Sequence, residues 1–438
     1  VRFGPRHCTP AVVRRPRSPT ADAARREVGE YPRPVSEGAG MSDTTEIPWI
    51  ISTDDHVVEP PNVWTDRLAK ADQEAGPHVV RDTCETTYDA KTRAVNYKKG
   101  GDGPVIDWWV YEGVPKVIPK VVACAGYPYE EHTIDPISFD EMRPGCYEPK
   151  ARLADMDEIK MERSLLFPYI TRFAGQWFLD AKDKELALRC VRAYNDWLID
   201  DFCAGSGGRL IPLGIVPLWD PELAAAEVRR NAPRGMRAIT WTEMPSHLGL
   251  PSIHDPSRHW DPLFRACDET GTVICMHIGS GSKMADVSPW APRAANTALT
   301  FSMAQNSLVE WLVSGNLIRF PNIKIAYSES QMGWMPFVLD RVDKCWEHSA
   351  YAGMDPIVTE RPSSYVAGRV YGSIFDDVIA IEMRERIGVD QITFEVDYPH
   401  QDTTWPDTLA HVDKIASLVT PAELERILRG NAIDMLGL

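Results

Sequence analysis

The chain has 438 residues, of which 44% are hydrophobic and 25% are charged, and its mean hydropathy is −0.28. This composition is typical of a globular protein with a large core, and the length allows one barrel-sized domain with insertions. The net charge of −16 argues against nucleic acid or an anionic membrane as a partner, because binding to phosphates requires clustered lysine and arginine. No stretch approaches the roughly 18 uncharged apolar residues of a membrane helix.

Residues 1–44 differ in composition from the rest of the chain. The first forty residues hold eight arginines, six prolines and four acidic residues, and Met41 follows them. This segment lacks the apolar core of a signal peptide, so we expect either disorder or an extension that precedes the true translation start.

The nine cysteines are scattered along the sequence and never show CxxC spacing. This pattern predicts buried free thiols rather than a disulfide framework or a cysteine zinc site. We therefore expect the protein in a reducing compartment, the cytoplasm.

From residue 49 onward, strand-like runs alternate with amphipathic helical segments. Eight runs are predicted to be strands: 49–56, 164–169, 209–219, 236–243, 272–280, 323–330, 370–376 and 391–400. Apolar residues at helical spacing lie between most of them and again at the C-terminus. The alternation predicts a (β/α)8 TIM barrel over residues 45–438. A doubly wound open sheet is the alternative, although no glycine-rich phosphate loop follows the first strand.

Residues 65–150 interrupt this alternation between the first strand and its helix. The segment contains VIDWWVYEGVPKV, which alternates like a β-hairpin. An insertion at this point would lie over the catalytic face of a barrel, so we predict a small cap that shapes substrate access.

Residue types that bind metals stand at the ends of five predicted strands. The first ends with Asp54, Asp55 and His56, and residues two apart share a face, so Asp54 and His56 can point together into the barrel mouth. Imidazole and carboxylate ligands suit Zn²⁺ or Fe²⁺, with Mn²⁺ also compatible. So many buried carboxylates would also repel one another without a cation. The predicted ligands of this divalent metal centre, with one or two ions per chain, are Asp54, His56, Glu243, His277, Glu329 and Asp397.

Each of these residues has a simpler structural interpretation when taken alone. His277 lies in the apolar run TVICMHIG and fits a hydrogen-bonded core histidine. Glu243 and Glu329 fit helix-capping or surface acids, and an Asp-x-His triplet most often makes a local hydrogen bond. Their coincidence at five strand ends favours the metal centre.

Five motifs resemble the amidohydrolase superfamily: DDHVVEPPNVW, CMHIGSGS, SESQMGWMPFVLDRVD, EVDYPHQDTTWP and ERILRGNAIDMLGL. The resemblance covers residues 49–438 apart from the insertion. It is strongest to the amidohydrolase-related branch that contains the aminocarboxymuconate semialdehyde and resorcylate decarboxylases. It implies a distorted TIM barrel with one or two divalent metals. Asp54 and His56 would take the ligand positions of the first strand, His277 that of the fifth and Asp397 that of the eighth.

The chain departs from these decarboxylases after the sixth strand, where they carry a catalytic histidine and this sequence reads YSES. Two-metal relatives use a bridging acid and a sixth-strand ligand, and Glu243 and Glu329 would fill those positions. The leading hypothesis is therefore a two-metal hydrolase in which a metal-activated water attacks an ester, a thioester such as acyl-CoA, or an amide. Asp397 would move the proton, and His277 and Glu329 complete the predicted catalytic set.

The alternative is non-oxidative decarboxylation of an aromatic or unsaturated carboxylic acid on a single metal. Asp397 would then protonate carbon, and His400, His254 or His259 would replace the missing histidine. A barrel kept only as a binding protein is a third hypothesis, which the presence of all four family ligands argues against.

The substrate in either enzyme hypothesis is a small carboxylic-acid derivative. The candidate substrate-binding residues are Arg172, Lys283, Trp334 and His400. Their structural alternatives are a surface ion pair for Arg172, a solvated lysine for Lys283, a core position for Trp334 and a loop residue for His400. Because members of the family are often dimers, the resemblance also implies a homodimer.

Overall fold

The computed structural model describes residues 47–89, 94–283, 287–288, 290–348 and 353–438. The strands are, in chain order, β1 (Ile50–Val57), β2 (His78–Asp89), β3 (Ala94–Lys99), β4 (Val105–Tyr111), β5 (Val114–Lys116), β6 (Met161–Pro168), β7 (Leu210–Gly214), β8 (Ala238–Trp241), β9 (Val273–His277), β10 (Ile325–Ser328), β11 (Val370–Ile374) and β12 (Ile392–Phe394). The composition-based expectation for residues 1–44 lies outside the described residues.

A closed parallel barrel is formed by β1 and β6 to β12, in the order β1-β12-β11-β10-β9-β8-β7-β6. Neighbouring strands follow chain order, and β12 pairs with β1 through Phe394 and Ser52 to close the ring. The predicted (β/α)8 barrel is therefore confirmed, and the alternative of an open doubly wound sheet is wrong. In such a barrel the carboxyl ends of all eight strands meet at one face, which is where active sites form.

Helices follow the barrel strands, as the periodicity predicts. Several begin with an acidic cap: the side chain of Asp183 accepts hydrogen bonds from the N–H groups of Glu185 and Leu186, and Asp220 caps the next helix in the same way. The α-helices are Asn62–Thr65, Pro149–Glu158, Gln176–Leu179, Lys184–Trp197, Pro221–Asn231, Asp261–Thr270, Arg293–Ala298, Ser302–Val313, Asn316–Arg319, Met335–Glu347, Val378–Glu382, Arg384–Ile387, Thr408–Ala416, Pro421–Glu425 and Asn431–Leu436. Two π-helical turns, Leu198–Cys203 and Arg426–Gly430, extend helices at their ends.

Apolar side chains pack on both faces of the barrel strands. Mostly aliphatic residues of β6 to β11 form one cluster inside the barrel, and Met435 and Leu436 of the last helix join them. A much larger cluster lies between the outer face of the strands and the surrounding helices. The core thus holds the strands rigidly and leaves the loops at their carboxyl ends to carry the site.

The predicted insertion contains a separate four-stranded antiparallel sheet of order β3-β2-β4-β5. Tyr111 pairs with Val114 to close the predicted hairpin. Beyond this sheet, the N–H groups of Cys124 and Ala125 donate to the carbonyl of Pro399 at 2.7 and 3.3 Å. These bonds attach the insertion to the loop after β12, and its role in substrate access stays a prediction.

The described cysteines are free thiols, and all but Cys345 are buried. Among the described residues, no helix combines the length and the hydropathy that a membrane crossing requires.

Candidate active site

Three of the predicted ligands lie just beyond the strands in which the sequence pattern placed them. Glu243 is two residues past β8, Glu329 follows β10 directly, and Asp397 is three residues past β12. Glu329 and Asp397 have left-handed backbone conformations, with φ of 53° and 56°. An extended strand cannot continue through such a residue, so both strands end earlier than predicted and the two acids belong to the loops at the barrel mouth.

Asp54, His56, His277 and Asp397 converge in the barrel mouth and are fully buried. Nε2 of His56 lies 3.4 Å from Oδ1 of Asp54 and 3.3 Å from Oδ1 of Asp397. Nε2 of His277 lies 3.2 Å from Nε2 of His56 and 3.5 Å from Oδ2 of Asp54. Residues from β1, from β9 and from the loop after β12 therefore direct their ligand atoms into one small volume.

His400 joins this cluster from the loop after β12. Its ring stacks on that of His56, with centroids 3.5 Å apart, and its Nδ1 lies 3.4 Å from Oδ1 of Asp397. The ligand atoms thus form two overlapping groups that share His56, one with Asp54 and His277 and the other with Asp397 and His400. The structure places this predicted substrate contact against the predicted ligands.

The two ligand histidines are suited to binding a cation. Nδ1 of His277 lies 2.7 Å from the carbonyl of Ile278, so it carries the ring proton and leaves the Nε2 lone pair free to face the cluster. Burial lowers the pKa of His277 to about 4. Burial also holds the pKa of His56 well below its usual range, and the nearby His400 lowers it further. Both rings are therefore neutral at physiological pH, as metal ligands must be.

The two predicted ligand carboxylates have few other partners. Asp397 makes no side-chain hydrogen bond to a described residue and Asp54 has only the side chain of Ser328 as a partner, although both acids are buried. Burial raises the pKa of each carboxyl well above its usual range, and neighbouring acids, among them Glu329, raise it further. Buried carboxylates with so few partners beside neutral imidazoles form a donor set that suits a divalent cation, so the residues present fit a metal ion.

Glu329 lies at the edge of the cluster, with Oε2 at 3.4 Å from Nε2 of His277. Its backbone N–H donates to Oε2 of Glu395 at 2.9 Å, and the hydroxyl of Ser373 donates to the same oxygen. Burial raises the pKa of Glu329 well above its usual range, and Asp402 and Glu395 raise it further. Glu395 thus connects β11 and the chain after β12 to the turn that carries Glu329.

Glu243 is buried beside the loop after β9 but belongs to neither ligand group. Its N–H donates to the hydroxyl of Ser280 at 2.9 Å, whereas its carboxylate oxygens have no side-chain partner among the described residues. Burial raises the pKa of Glu243 to about 8, and the backbone N–H groups of Gly279 and Gly281 offset part of this rise. Its assignment as a metal ligand stays a prediction.

A cavity of about 560 Å³ opens next to the cluster. Phe173 lines it and stacks on His277, with ring centroids 4.0 Å apart. The rest of the wall combines apolar and polar residues. Its apolar side chains are Val121, Val122, Ile278, Ala298, Phe301 and Phe375, and its polar side chains are Thr297, Thr300, Glu329, His400, Gln401 and Asp402. Such a cavity suits a substrate with an apolar body that is oriented by polar groups.

The family model for amidohydrolases matches residues 88–438, which is most of the chain. The chain belongs to the amidohydrolase family. The match begins within β2, so the predicted ligands Asp54 and His56 precede it and lie in a part of the barrel that the family model does not cover. No curated protein gives a significant match.

Solved structures with the same fold include other amidohydrolases. An amidohydrolase from Mycobacterium avium subsp. paratuberculosis is 21% identical, with 89% of this chain and 99% of that chain covered and a TM-score of 0.65. A 5-carboxyvanillate decarboxylase from Novosphingobium aromaticivorans, in complex with manganese and a nitrobenzoic acid, is 20% identical, with coverage of 66% and 79% and a TM-score of 0.53. A 2,6-dihydroxybenzoate decarboxylase from Rhizobium is 18% identical, with coverage of 73% and 95% and a TM-score of 0.52. At these identities the likeness establishes the fold of this amidohydrolase.

Arg172, Lys283 and Trp334, the remaining predicted substrate-binding residues of the amidohydrolase, are not part of the cavity wall. Arg172 directly precedes Phe173 and donates from Nη2 to the hydroxyl of Ser282 at 2.7 Å. Lys283 follows Ser282 on the loop after β9, and its side chain is exposed. Trp334 is not part of the cavity wall, and its indole N–H donates to the carbonyl of Ser330 at 3.0 Å. The predicted substrate contacts of these residues stay untested.

Two histidines that the decarboxylase hypothesis offered as replacements lie elsewhere. His254 is exposed and lines a groove between Ser302–Val313 and Met335–Glu347 on the outside of the barrel. His259 packs edge-on against Trp260, with ring centroids 4.8 Å apart. Of the three candidates, the structure brings only His400 to the ligands.

Behind the mouth, Asp55 and Arg152 hold the chain segments that carry the ligands. Asp55 accepts a hydrogen bond from the hydroxyl of Ser164 at 2.5 Å and another from the N–H of Tyr398 at 3.0 Å. Arg152 is buried, donates to the carbonyl of His56 at 2.5 Å, and lies 4.2 Å from the centroid of the Tyr398 ring. These contacts fix β1 and the loop after β12 relative to each other.

The sequence reasoning missed Arg152 and Glu395, and a signal for each exists. Arg152 stands four residues before Met156 on a predicted helix, at the spacing of its apolar face, so a buried charge could have been inferred. Glu395 stands two residues before Asp397 in an apolar run, which gives the same alternation that identified Asp54 and His56.

Proposed function

We propose that this amidohydrolase is a decarboxylase that uses one divalent metal ion to remove CO₂ from an aromatic carboxylic acid. The observation that carries the proposal is the connected cluster of predicted ligands, Asp54, His56, His277 and Asp397, beside a cavity. The acid Glu329 lies between the two, because its carboxylate contacts His277 and also lines the cavity. Two of the structures with the same fold are decarboxylases of substituted benzoic acids, which supports the reaction class.

The ligand cluster would hold the metal, and a bound divalent cation would bind and orient the substrate carboxylate. The structure of the 5-carboxyvanillate decarboxylase contains manganese, so Mn²⁺ is the first ion to test. Phe173 and the other apolar residues of the wall would pack against the aromatic ring and exclude water. Excluding water favours the reaction because a charged carboxylate becomes neutral CO₂.

Glu329 would act as the proton donor in place of the histidine that related decarboxylases carry after the sixth strand. Its carboxyl would donate a proton to the ring carbon that bears the carboxylate. The bond from that carbon to the carboxylate carbon then breaks, its electron pair returns to the ring, and CO₂ leaves. Glu329, left as a carboxylate, would regain a proton from water at the rim of the cavity, where Asp402 is exposed.

The test is a screen of hydroxylated benzoic acids with Mn²⁺-loaded protein in D₂O, followed by NMR of the products and a coupled assay for CO₂. We expect an arene that carries deuterium at the carbon that lost the carboxylate. Glu329→Gln should lower the rate about 100-fold or more, in the range of a lost general acid. The exposed Glu382→Gln serves as the matched control and should keep the full rate. Hydrolysis of aryl esters or acyl-CoA without CO₂ release from any acid would overturn the proposal.

One observation favours a second candidate function, the two-metal hydrolase. The carboxylate of Glu243 is buried without a side-chain hydrogen-bond partner among the described residues and lies against the backbone of Gly279 and Gly281, and a buried carboxylate with so few partners would suit a bridging ligand. In this mechanism Asp397 would take a proton from an attacking water and deliver it to the leaving group.

Metal analysis separates the two candidates. One ion per chain, retained in Glu243→Gln, supports the decarboxylase. Two ions per chain, with one lost in Glu243→Gln, together with turnover of aryl esters or acyl-CoA thioesters, would establish the hydrolase instead.

A further inference from the structure

The cavity beside the ligand cluster has no lysine or arginine among the described residues of its wall. The ionisable side chains of the wall are Glu329, His400 and Asp402. His400 belongs to one of the two ligand groups, and Glu329 is the proton donor of the proposed function. Asp402 is therefore the ionisable residue of the wall to which the proposed function gives no contact with the substrate.

Asp402 brings a negative charge to the cavity from the loop after β12. The residue is exposed and lies two positions beyond His400. Within the described part of the chain, no lysine or arginine forms an ion pair with its carboxylate. A carboxylate in this position is free to bind a cationic group of a ligand.

Two cations stand next to wall residues in the sequence, and both have contacts away from the wall. Lys120 precedes the cavity residues 121 and 122, and its Nζ lies 3.4 Å from Oε2 of Glu131 and 4.1 Å from the centroid of the Tyr127 ring. Arg172 precedes the cavity residue 173, and its Nη2 donates to the hydroxyl of Ser282 at 2.7 Å. Neither cation lines the cavity. The described wall therefore offers acceptors and a negative charge but no positive charge.

The cavity has more room than one benzoic acid ring requires. Its volume is about 560 Å³, whereas a cavity of about 150 Å³ holds a benzene molecule. Phe173, Phe301 and Phe375 belong to its wall. Aromatic rings attract an ammonium group as well as packing against apolar groups. The space beyond the reacting ring therefore suits a side chain that ends in a cation.

We infer that the substrate is an aromatic monocarboxylic acid with an amine-bearing side chain, and that the carboxylate of Asp402 binds its ammonium group. The inference rests on the proposed function, which places the reacting carboxylate at the ligand cluster, and extends it by naming the charge of the rest of the substrate. The ammonium donates a charge-assisted hydrogen bond to Asp402. A second carboxylate on the substrate would meet the negative charge of Asp402 instead, so Asp402 selects against dicarboxylic acids.

The test compares the affinities of four benzoic acids that differ in the charge of one side chain. Full-length protein loaded with Mn²⁺ is titrated by calorimetry at pH 7 with 4-(2-aminoethyl)benzoate, 4-(2-hydroxyethyl)benzoate, 4-propylbenzoate and 4-(carboxymethyl)benzoate. We expect the amine to bind about fivefold more tightly than the propyl probe, as a partly exposed ion pair allows, and the dicarboxylate about fivefold more weakly. Equal affinities of the four probes would overturn the inference, and equal affinities of the amine and the hydroxyl probe would reject a cationic substrate.

Variants of Asp402 give an independent measurement. Asp402→Asn should abolish the preference for the amine, and Asp402→Lys should reverse it, so that the dicarboxylate binds more tightly than the amine. Asp407→Asn removes an exposed acid that follows on the same loop but does not line the cavity, and it should keep the wild-type order of affinities. A preference for the amine that persists in both variants of Asp402 would contradict its role.

Two combined outcomes separate this inference from the proposed function. Decarboxylation of hydroxylated benzoic acids, with binding that does not depend on the charge of the probe, would reject the inference and retain the proposed function. A preference for the amine that depends on Asp402, in a protein that decarboxylates no acid, would reject the proposed function and retain the charge selection at the cavity.

Discussion

Asp54 and Asp55 are neighbours on β1, equally buried, and they lie in opposite electrostatic surroundings. Asp54 faces the barrel mouth, where the side chain of Ser328 is its only described hydrogen-bond partner and neighbouring acids add to the rise in pKa that burial causes. Asp55 faces the other side, where burial raises its pKa to about 6 and Arg152, Ser164 and Tyr398 offset part of this rise. One strand thus carries a carboxylate with few partners and another with several partners within the protein.

The barrel mouth, which contains Asp54, and the region behind it, which contains Asp55, differ in the same way in how far their charges are compensated. In the mouth, acids and neutral imidazoles crowd together with few hydrogen bonds, so the metal-free protein bears a repulsion that a cation would relieve. Behind the mouth, Arg143 pairs with Asp155 and Tyr398 donates to the same acid, so the charges are compensated. We infer that the first region is arranged for binding and the second for stability.

The largest effect is expected from Asp54→Asn. Loss of this ligand should reduce metal content and lower turnover about 1000-fold, because several kcal/mol of transition-state stabilisation depend on the metal. In the metal-free protein, the same substitution should raise the free energy of unfolding by about 1 kcal/mol, since it removes one buried negative charge from the cluster. Elemental analysis and urea unfolding in EDTA measure the two quantities.

Asp55→Asn is the matched control for this prediction. An asparagine offers one acceptor where Asp55 uses two oxygens, so one donor loses its partner and the free energy of unfolding should fall by about 2–3 kcal/mol. Equal changes in stability for the two variants would show that the two faces of β1 do not differ as described.

The next largest effect is expected from Arg152→Met. This substitution removes a buried cation that donates to the carbonyls of His56 and Gly145. The free energy of unfolding should fall by about 3–5 kcal/mol, because Asp55 and Asp155 lose a compensating charge in a buried region. Urea unfolding at pH 7 measures the loss.

The exposed pair of Arg229 and Glu269 provides the comparison for Arg152. Its side chains are 43% and 50% exposed, so Arg229→Met should cost less than about 1 kcal/mol. A similarly small loss in Arg152→Met would mean that the region behind the mouth does not stabilise the barrel.

The barrel could be predicted from the sequence because its strands and helices differ in apolar spacing and alternate regularly. The ends of the strands could not, since the left-handed backbone at Glu329 and Asp397 leaves no signal in hydrophobic periodicity. The insertion was visible as a break in the alternation, and its hairpin as a two-residue period. Its attachment to Pro399 could not be predicted, because it depends on backbone N–H groups, which every residue except proline has.

The convergence of Asp54, His56, His277 and Asp397 could be predicted because apolar strands rarely contain these residue types, and the carboxyl ends of barrel strands meet at one face. Their role as metal ligands stays a prediction. Which acids contact the cluster was not predictable. Glu243 and Glu329 are both glutamates close to the end of a barrel strand, and of these two only Glu329 reaches His277. The difference lies in loop backbone, which the residue type does not determine.

The smallest effect on turnover is expected from Glu395→Gln. Glu395 shares features of both the barrel mouth and the region behind it. Its Oε2 accepts from Glu329 and Ser373, as a stabilising residue would, whereas its Oε1 is buried without a described hydrogen-bond partner. The variant keeps the size of the side chain but loses one acceptor, so the turn that carries Glu329 should be less well positioned. We expect kcat to fall about tenfold, with KM and metal content unchanged. Kinetics of the metal-loaded variant, beside elemental analysis, measure this. A loss of metal would assign Glu395 to the ligand cluster, and a loss of stability without a change in kcat would assign it to the scaffold behind the mouth.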